Sequence, residues 1–373
     1  MSVLKKIGLA LVAPVAALVA AMAITSLVIV AVGGPPGDFW RVILSTPEDS
    51  EIVTIVNQSS MLFLSGLAAA IGFRMNLFNI GVEGQYRVAS YVAAVVAGAG
   101  VASGILNLFL AVLAAMAAGA VWAAIPAILK VTRGVSEVIS TIMLNAIAGF
   151  LVGYLLLNYG EEIGSSRRTT PIGRDTTLSG WVPFTDRDGA IWGLVVLAVL
   201  AGLAFWFVLN HTRFGFDLRA TGRSESAAVA SGVDVKKMVV ISMMLSGAVA
   251  GLVWLPALFH ESRTPSYFAG SQFQAGLGFA GIAVALLGRN RPLGIMAGAV
   301  LFAFLDAQAG DLEFERVDVS RDIVLVAQGV IVLTIVIAYE VVRRWRTRLE
   351  QRVVAREAPP PAAPGPVAEE VSA

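Results

Sequence analysis

Cysteine is absent from the 373-residue chain, and its absence excludes disulfides, thiolate catalysis and Cys-based metal sites. Histidine is almost as scarce: His211 and His260 are too few and too far apart to suggest a metal cluster. Charge is thin as well, at 14% of residues, where a soluble domain carries about 25%. No G-x-x-x-x-G-K-[ST] occurs, so the chain holds no P-loop of its own, and neither His-Glu-x-x-His nor Gly-x-Ser-x-Gly is present. These absences leave an enzymatic reading without residues to stand on.

What fills the chain instead is apolar. Hydrophobic residues make up 57% of it and the mean hydropathy is +0.78. Apolar runs recur at lengths of about 18 residues or more, enough to cross a bilayer as helices. About ten are expected: 7–32, 52–72, 80–100, 105–129, 137–158, 191–209, 238–259, 273–288, 292–309 and 322–342. The N-terminus imitates a signal peptide, with Lys5 and Lys6 before an apolar core. The run continues to Val32, beyond the usual 7–15-residue h-region, so an uncleaved first span is expected.

The basic residues set an orientation. With both termini inside, the inner segments hold 19 of the 27 Lys and Arg, among them Arg74, Arg87, Lys130, Arg133, Arg219, Arg289, Arg291 and six arginines between Arg343 and Arg356. Such a bias is the positive-inside signature, and a missed span would invert every later loop. Residues 1–342 then form the membrane domain and 343–373 a cytoplasmic tail, whose Pro/Ala/Glu-rich end after Arg356 is expected to be disordered.

Several motifs have a plain explanation. GLGFAG at 276–281 matches a dinucleotide pattern but lies in an apolar run, not after a strand. Close helix packing accounts better for Gly276, Gly278 and Gly281, and for the pairs Gly149/Gly153, Gly247/Gly251 and Gly294/Gly298.

Three segments resist that treatment. GFRMNLFNIGVEGQYRVASY, residues 72–91, inserts Arg74, Asn76, Asn79, Glu83, Gln85 and Arg87 between two membrane-length runs. Polar groups at membrane depth must face protein or water, and Asn79–Gly81 can break a helix. An ordinary turn, with Glu83 favoured by the helix dipole, is the simpler alternative. In RGVSEVISTIMLNAIAGF, Glu137, Thr141 and Asn145 stand four apart and make one face polar, so that face must meet other helices. Between 210 and 237, Ser224–Ser231 reads as a short helix bounded by Gly222 and Gly232, lying outside the bilayer and suited to docking a partner.

Together, GFRMNLFNIGVEGQ, GVSEVISTIMLN, LRATGRSESAAVASGVDVKK with SGAVAG, and GLGFAGIAVALLGRNRPLGI resemble the permease subunits of bacterial ABC importers of the branched-chain amino acid/simple sugar superfamily, closest to nucleoside permeases. The resemblance implies an all-α polytopic membrane protein of two five-helix halves with some discontinuous helices and a cytoplasmic coupling helix between spans 6 and 7. It implies a subunit in the inner membrane, paired with a related permease as a heterodimer and without catalytic residues or a metal. A cytoplasmic ATPase would carry ATP and Mg²⁺, and an extracytoplasmic lipoprotein would deliver a nucleoside or simple sugar; no nucleic acid is involved. Carried onto this chain, Gly222, Arg223, Ser224, Glu225, Ala227, Ala228, Gly232 and Val233 would meet the ATPase. Asn57, Gln58, Asn76, Asn79, Glu83, Gln85 and Asn145 are the candidates for lining the solute path. The competing class is an ion-coupled secondary transporter with Glu83 or Asp306 as its intramembrane acid, and a weaker one is a membrane scaffold.

Overall fold

A computed structural model describes residues 18–164, 166–261, 266–314 and 322–357. Its helices, in chain order, are α1 (Leu18–Ala31), α2 (Pro36–Ile43), α3 (Asp49–Phe73), α4 (Val82–Gly98), α5 (Gly104–Arg133), α6 (Glu137–Tyr159), α7 (Val195–His211), α8 (Arg213–Arg223), α9 (Glu225–Ala230), α10 (Val235–Ala250), α11 (Leu255–Leu258), α12 (Leu277–Leu287), α13 (Pro292–Phe314) and α14 (Asp322–Glu357). Each of the ten expected segments is occupied by helix. By length and composition, six helices among the described residues can cross a membrane, or seven if α7 and α8, bent by 73°, count as one span. α4, at 17 residues, falls short because it begins late, after an irregular approach, and α12, at 11, passes only with the segment before it, as Gly270–Leu287.

The centre of the bundle is α3. Its residues Ser60 to Gly72 are buried without interruption, because α4, α7, α10, α12 and α13 all pack against it. At about 1.5 Å per residue its 25 residues extend about 37 Å, enough to cross a bilayer core. The perimeter is inverted relative to a soluble protein. Phe150, Tyr154 and Leu157 of α6, Val199, Leu203 and Trp206 of α7, and Ile105, Phe109 and Val121 of α5 all lie exposed. Contiguous apolar surface of this kind needs a lipid partner.

Small residues let the inner helices approach. A Cβ on Gly247 would lie 2.2 Å from the Gly119 carbonyl oxygen, and one on Gly251 would lie 2.4 Å from that of Ala115, so α10 and α5 touch backbone to backbone. Gly278 and Gly281 are likewise pressed against Glu83 and Ser65. The pair Gly149/Gly153 departs from the expectation: Gly153 has no atom within 4 Å of its missing Cβ, and Gly149 only the Arg87 guanidinium. Among the described residues, no helix backbone packs against that stripe of α6.

Three further departures follow from local chemistry. Loop 159–190 contains a hairpin, β1 (Glu161–Ile163) with β2 (Ser166–Arg168), in which two of the three opposed pairs are acid against base. The resulting ion pairs, Arg167–Glu162 at 2.7 Å and Arg168–Glu161 at 3.7 Å, fix the register of this small sheet, the only one among the described residues. The loop is strapped to residues 258–269 by Thr169 N–H to Phe268 O (2.9 Å), Ile172 N–H to Ser266 O (2.8 Å) and Leu178 N–H to Phe259 O (2.8 Å). Second, the apolar boundary at 342 is not a break in the backbone, because α14 continues through Arg- and Glu-rich helix formers to Glu357. The Pro-rich end of the tail and residues 1–17 lie outside the described residues. Third, Arg87, counted among the loop charges, sits in the second turn of α4 with its guanidinium 4.5 Å from the centre of the Phe273 ring.

Candidate functional site

The polar stretch after α3 is a descent and a return. Arg74 ends the helix, and Met75 and Leu77 N–H bonds fold back on Gly72 O. Asn76 takes the left-handed conformation at φ +56°, which Asn tolerates better than most side chains. The chain then re-enters the bundle to start α4 at depth. Asn79 makes the re-entry possible. Its Nδ2 donates to Gln85 Oε1 (3.0 Å) and Ser246 Oγ (2.8 Å), while its Oδ1 accepts from Gly81 N–H (3.0 Å) and Gln85 Nε2 (2.9 Å). Ser246 Oγ in turn donates to Ala68 O of α3 at 2.6 Å. Both amides are buried, so the backbone of an interrupted helix is satisfied away from water.

A second break meets the first. After α11 the chain runs through 266–276 and starts α12 at Gly276, whose φ of +93° suits glycine. Glu83, in the first turn of α4, reaches across. Its Oε1 accepts from Gly276 N–H and its Oε2 from Gly278 N–H, each at 3.0 Å. Ser65 Oγ of α3 donates to Leu277 O at 2.7 Å, pinning the same turn from the other side. Ser65 lies eight residues, about 12 Å, above the Phe73 end of α3, well inside the bundle. Two helix N-termini thus converge on one carboxyl group. The carboxyl group accepts the N–H groups that open α12, those of Gly81 and Gly84 at the start of α4 go to Asn79 and Asn145, and the acid stands near the positive ends of both helix dipoles.

Around this junction lies a mixed aromatic and polar shell. Tyr86 OH stands 3.0 Å from Glu83 Oε1 and 2.8 Å from Gln274 O. Its ring stacks on Phe273 at 5.0 Å, and Arg87 covers the same ring while keeping Nη2 3.8 Å from Glu83 Oε1. Gln274 Nε2 donates to Gln58 Oε1 at 3.1 Å, and both amides remain half-buried. Tyr86, Arg87, Phe273 and Gln274 are absent from the sequence-derived candidates. The adjacency of Tyr86 and Arg87 to Glu83 is the signal that could have found the first two.

The remaining candidates separate by position. Asn57 is buried, its Nδ2 on Ala190 O (3.0 Å) and its Oδ1 accepting from Trp192 N–H (2.9 Å), so it ties α3 to the lead-in of α7. Asn145 of α6 donates to Ile80 O (2.9 Å) and accepts from Gly84 N–H (2.8 Å), bracing the start of α4. Glu137 accepts from Lys130 Nζ at 2.6 Å and, weakly, from Phe78 N–H at 3.4 Å. Glu137 and Thr141 are buried and Asn145 half-buried, so the polar stripe of α6 does face other helices.

Asn76 belongs elsewhere: it is exposed, and its Nδ2 donates to Gly222 O at 3.2 Å. Segment 212–234 is a series of side-chain-capped helices. Thr212 caps α8, Ser224 caps α9 and Asp234 caps α10, each accepting from the N–H three residues on. The short helix expected over Ser224–Ser231 is α9, ended by Gly232 at φ +81°. Arg223, Ser224, Glu225, Ala227 and Gly232 are exposed, Val233 is half-buried and Ala228 faces inward. Gly222 is pressed onto the bend itself, where a Cβ would fall 2.1 Å from Arg74 O.

Interrupted helices meeting inside an apolar bundle, with a capped helix projecting beyond it, define a polytopic membrane transport protein. The chain matches the family described as the branched-chain amino acid transport system / permease component over residues 51–338, and it belongs to that family. It is 34% identical over 290 residues, 77% of this chain and 81% of the other, to the guanosine ABC transporter permease protein NupP of Bacillus subtilis (strain 168). The guanosine permease protein NupQ of the same organism is 30% identical over 130 residues, 35% of this chain and 38% of the other. The glucose ABC transporter permease protein TsgB13 of Haloferax volcanii is 29% identical over 352 residues, 89% of this chain and 88% of the other.

Proposed function

We propose that this chain is one transmembrane subunit of an ATP-driven importer that carries a nucleoside, or failing that a simple sugar, across the cytoplasmic membrane by alternating access. It crosses the membrane ten times with both termini in the cytoplasm. Its partners are a related permease, a cytoplasmic ATPase that holds ATP and Mg²⁺, and an extracytoplasmic solute-binding lipoprotein. Two guanosine permease proteins of one organism are both similar to this chain, which supports pairing with a relative.

The observation that carries the proposal is the contact of Gly222 with the Arg74–Met75 backbone. Through it, a push on α9 by the ATPase acts directly on the bend between α3 and α4. That bend is tied by Asn79 to α10, and α4 is tied by Glu83 to α12. Movement of the cassettes therefore reaches both broken helices, and the two openings alternate as they shift. The solute passes the half-buried Gln58–Gln274 pair beside Phe273 and Arg87, where amide edges and a π face suit a nucleobase.

The ion-coupled alternative would place its ion on Glu83 or Asp306. Glu83 instead accepts two backbone N–H bonds and Asp306 accepts from Gln328 Nε2 at 3.0 Å. The test is uptake of a radiolabelled nucleoside into cells expressing the chain with its partner subunits. Depleting ATP with the membrane potential maintained is expected to abolish uptake, and an ionophore with ATP maintained is expected to spare it. The opposite pattern rejects the ABC reading.

A further inference from the structure

Four cations at the bundle and its straps have an acid beside them. Arg87 pairs with Glu83, Lys130 with Glu137, Arg167 with Glu162 and Arg168 with Glu161. Three guanidinium groups on the α9 side do not. Arg74 ends α3, Arg219 lies on α8 one turn before Gly222, and Arg291 lies in the turn between α12 and α13. Among the described residues none of the three forms an ion pair.

They are nevertheless held together. Arg74 Nε and Nη2 both donate to Asn290 O, at 3.1 and 2.7 Å, which sets it beside the neighbouring Arg291. Gly222 rests on the Arg74 backbone, and Arg219 lies one turn earlier on the same helix. Burial first, and then the charges of Arg219 and Arg291, hold the proton affinity of Arg74 below its ordinary value, so the three positive fields overlap. A guanidinium stays charged at any physiological pH, and the repulsion is not relieved by proton loss. Arg219 Nη1 is buried without a hydrogen-bond partner, while Arg291 is exposed. A cluster of this kind lacks negative charge that the described residues do not supply.

We infer that Arg74, Arg219 and Arg291 form a second docking point for the ATPase, beside α9, which receives a carboxylate-bearing segment of that subunit. The inference rests on the proposed function for the identity of the partner. Two observations choose an ATPase over anionic lipid. α3 is ringed by α4, α7, α10, α12 and α13, so its Arg74 end lies at the middle of that face, away from the apolar perimeter where headgroups gather. The patch is also continuous with α9 through Gly222. A planar fork of donors with free capacity suits bidentate recognition of a carboxylate.

The experiment uses the full complex, co-expressed and purified in lipid nanodiscs, with ATPase retention measured against NaCl. Arg291→Glu is expected to weaken retention about tenfold or more and to flatten its salt dependence. Arg187→Glu, in loop 159–190, is the charge-matched control and is expected to leave retention unchanged. Arg291→Lys treated with a carbodiimide is expected to yield a zero-length cross-link to an Asp or Glu of the ATPase. Unchanged retention in Arg291→Glu together with no cross-link overturns the inference, as does a loss that tracks the phosphatidylglycerol content of the nanodisc. Val229→Arg on α9 separates the two levels. If it abolishes retention while Arg291→Glu does not, only the second docking point fails; if neither matters, the proposed coupling fails with it.

Discussion

Glu83 stands in the first turn of α4 and accepts the N–H groups that open α12, so one acid faces the positive ends of two helix dipoles. Glu83→Gln keeps the shape but replaces one acceptor oxygen by a donor. It should leave the Gly276 or Gly278 N–H unsatisfied and cost about 1–3 kcal/mol, read as a lower unfolding midpoint of the purified protein. Gln58→Ala should behave differently. Its half-buried amide has one partner, Gln274, so stability should change little while the solute concentration for half-maximal uptake rises several-fold. If Gln58→Ala instead lowers the maximal rate and the unfolding midpoint together, Gln58 belongs to the framework with Asn79. The polar character of residues 74–87 was legible in the sequence, since amides and acids in an oily chain stand out. Their partners were not. Asn79 meets Gln85 only once the chain has bent, and Glu83 bonds to backbone N–H groups 193 and 195 residues away, which carry no side-chain signature.

Helices pair here by what their small residues touch, and the sequence shows only that an approach is possible. Gly247/Gly251 and Gly149/Gly153 carry the same spacing, yet the first pair lies against the backbone of α5 and the second against open space or Arg87. Substitution by alanine should separate them. Gly247→Ala places a methyl 2.2 Å from the Gly119 carbonyl oxygen, forces α5 and α10 apart and should cost about 2 kcal/mol or more. Gly153→Ala should be neutral or slightly stabilising, because alanine is the better helix former. Equal unfolding midpoints in detergent for the two variants would show that the α5–α10 contact is not the tight one. The caps of segment 212–234 lie at the opposite extreme of legibility. Thr212, Ser224 and Asp234 bond within three residues, so the sequence foretold α9 and its glycine stop.

At the scale of the whole chain, hydropathy located the ten long helical segments, but not the short α2 and α8, and could not say which of the ten cross the membrane. Length alone passes six or seven, because α4 begins inside the bundle and is too short to be counted, as are Leu18–Ala31 and Asp322–Ala338, and α12 is counted only together with the segment from Gly270. At about 1.5 Å per residue, α12 extends about 16 Å, roughly half of a bilayer core. Its span is completed by the irregular segment before it, held by Glu83 and Ser65 where lipid cannot reach. A short helix of this kind still changes the side on which the next loop emerges, and that is what the ten-span reading predicts. The natural lack of cysteine makes the test clean, since any thiol introduced is the only one present. Single cysteines at Ser103 and Asp186 should react with a membrane-impermeant maleimide in intact cells. Cysteines at Thr132 and Ser231 should react only after permeabilisation. Labelling of Ser103 and Thr132 from opposite sides would establish α5 as a span, and Asp186 against Ser231 would do the same for α7. Labelling of Ser231 in intact cells would place α9 outside, beyond the reach of any cytoplasmic ATPase, and would overturn the orientation and the coupling together.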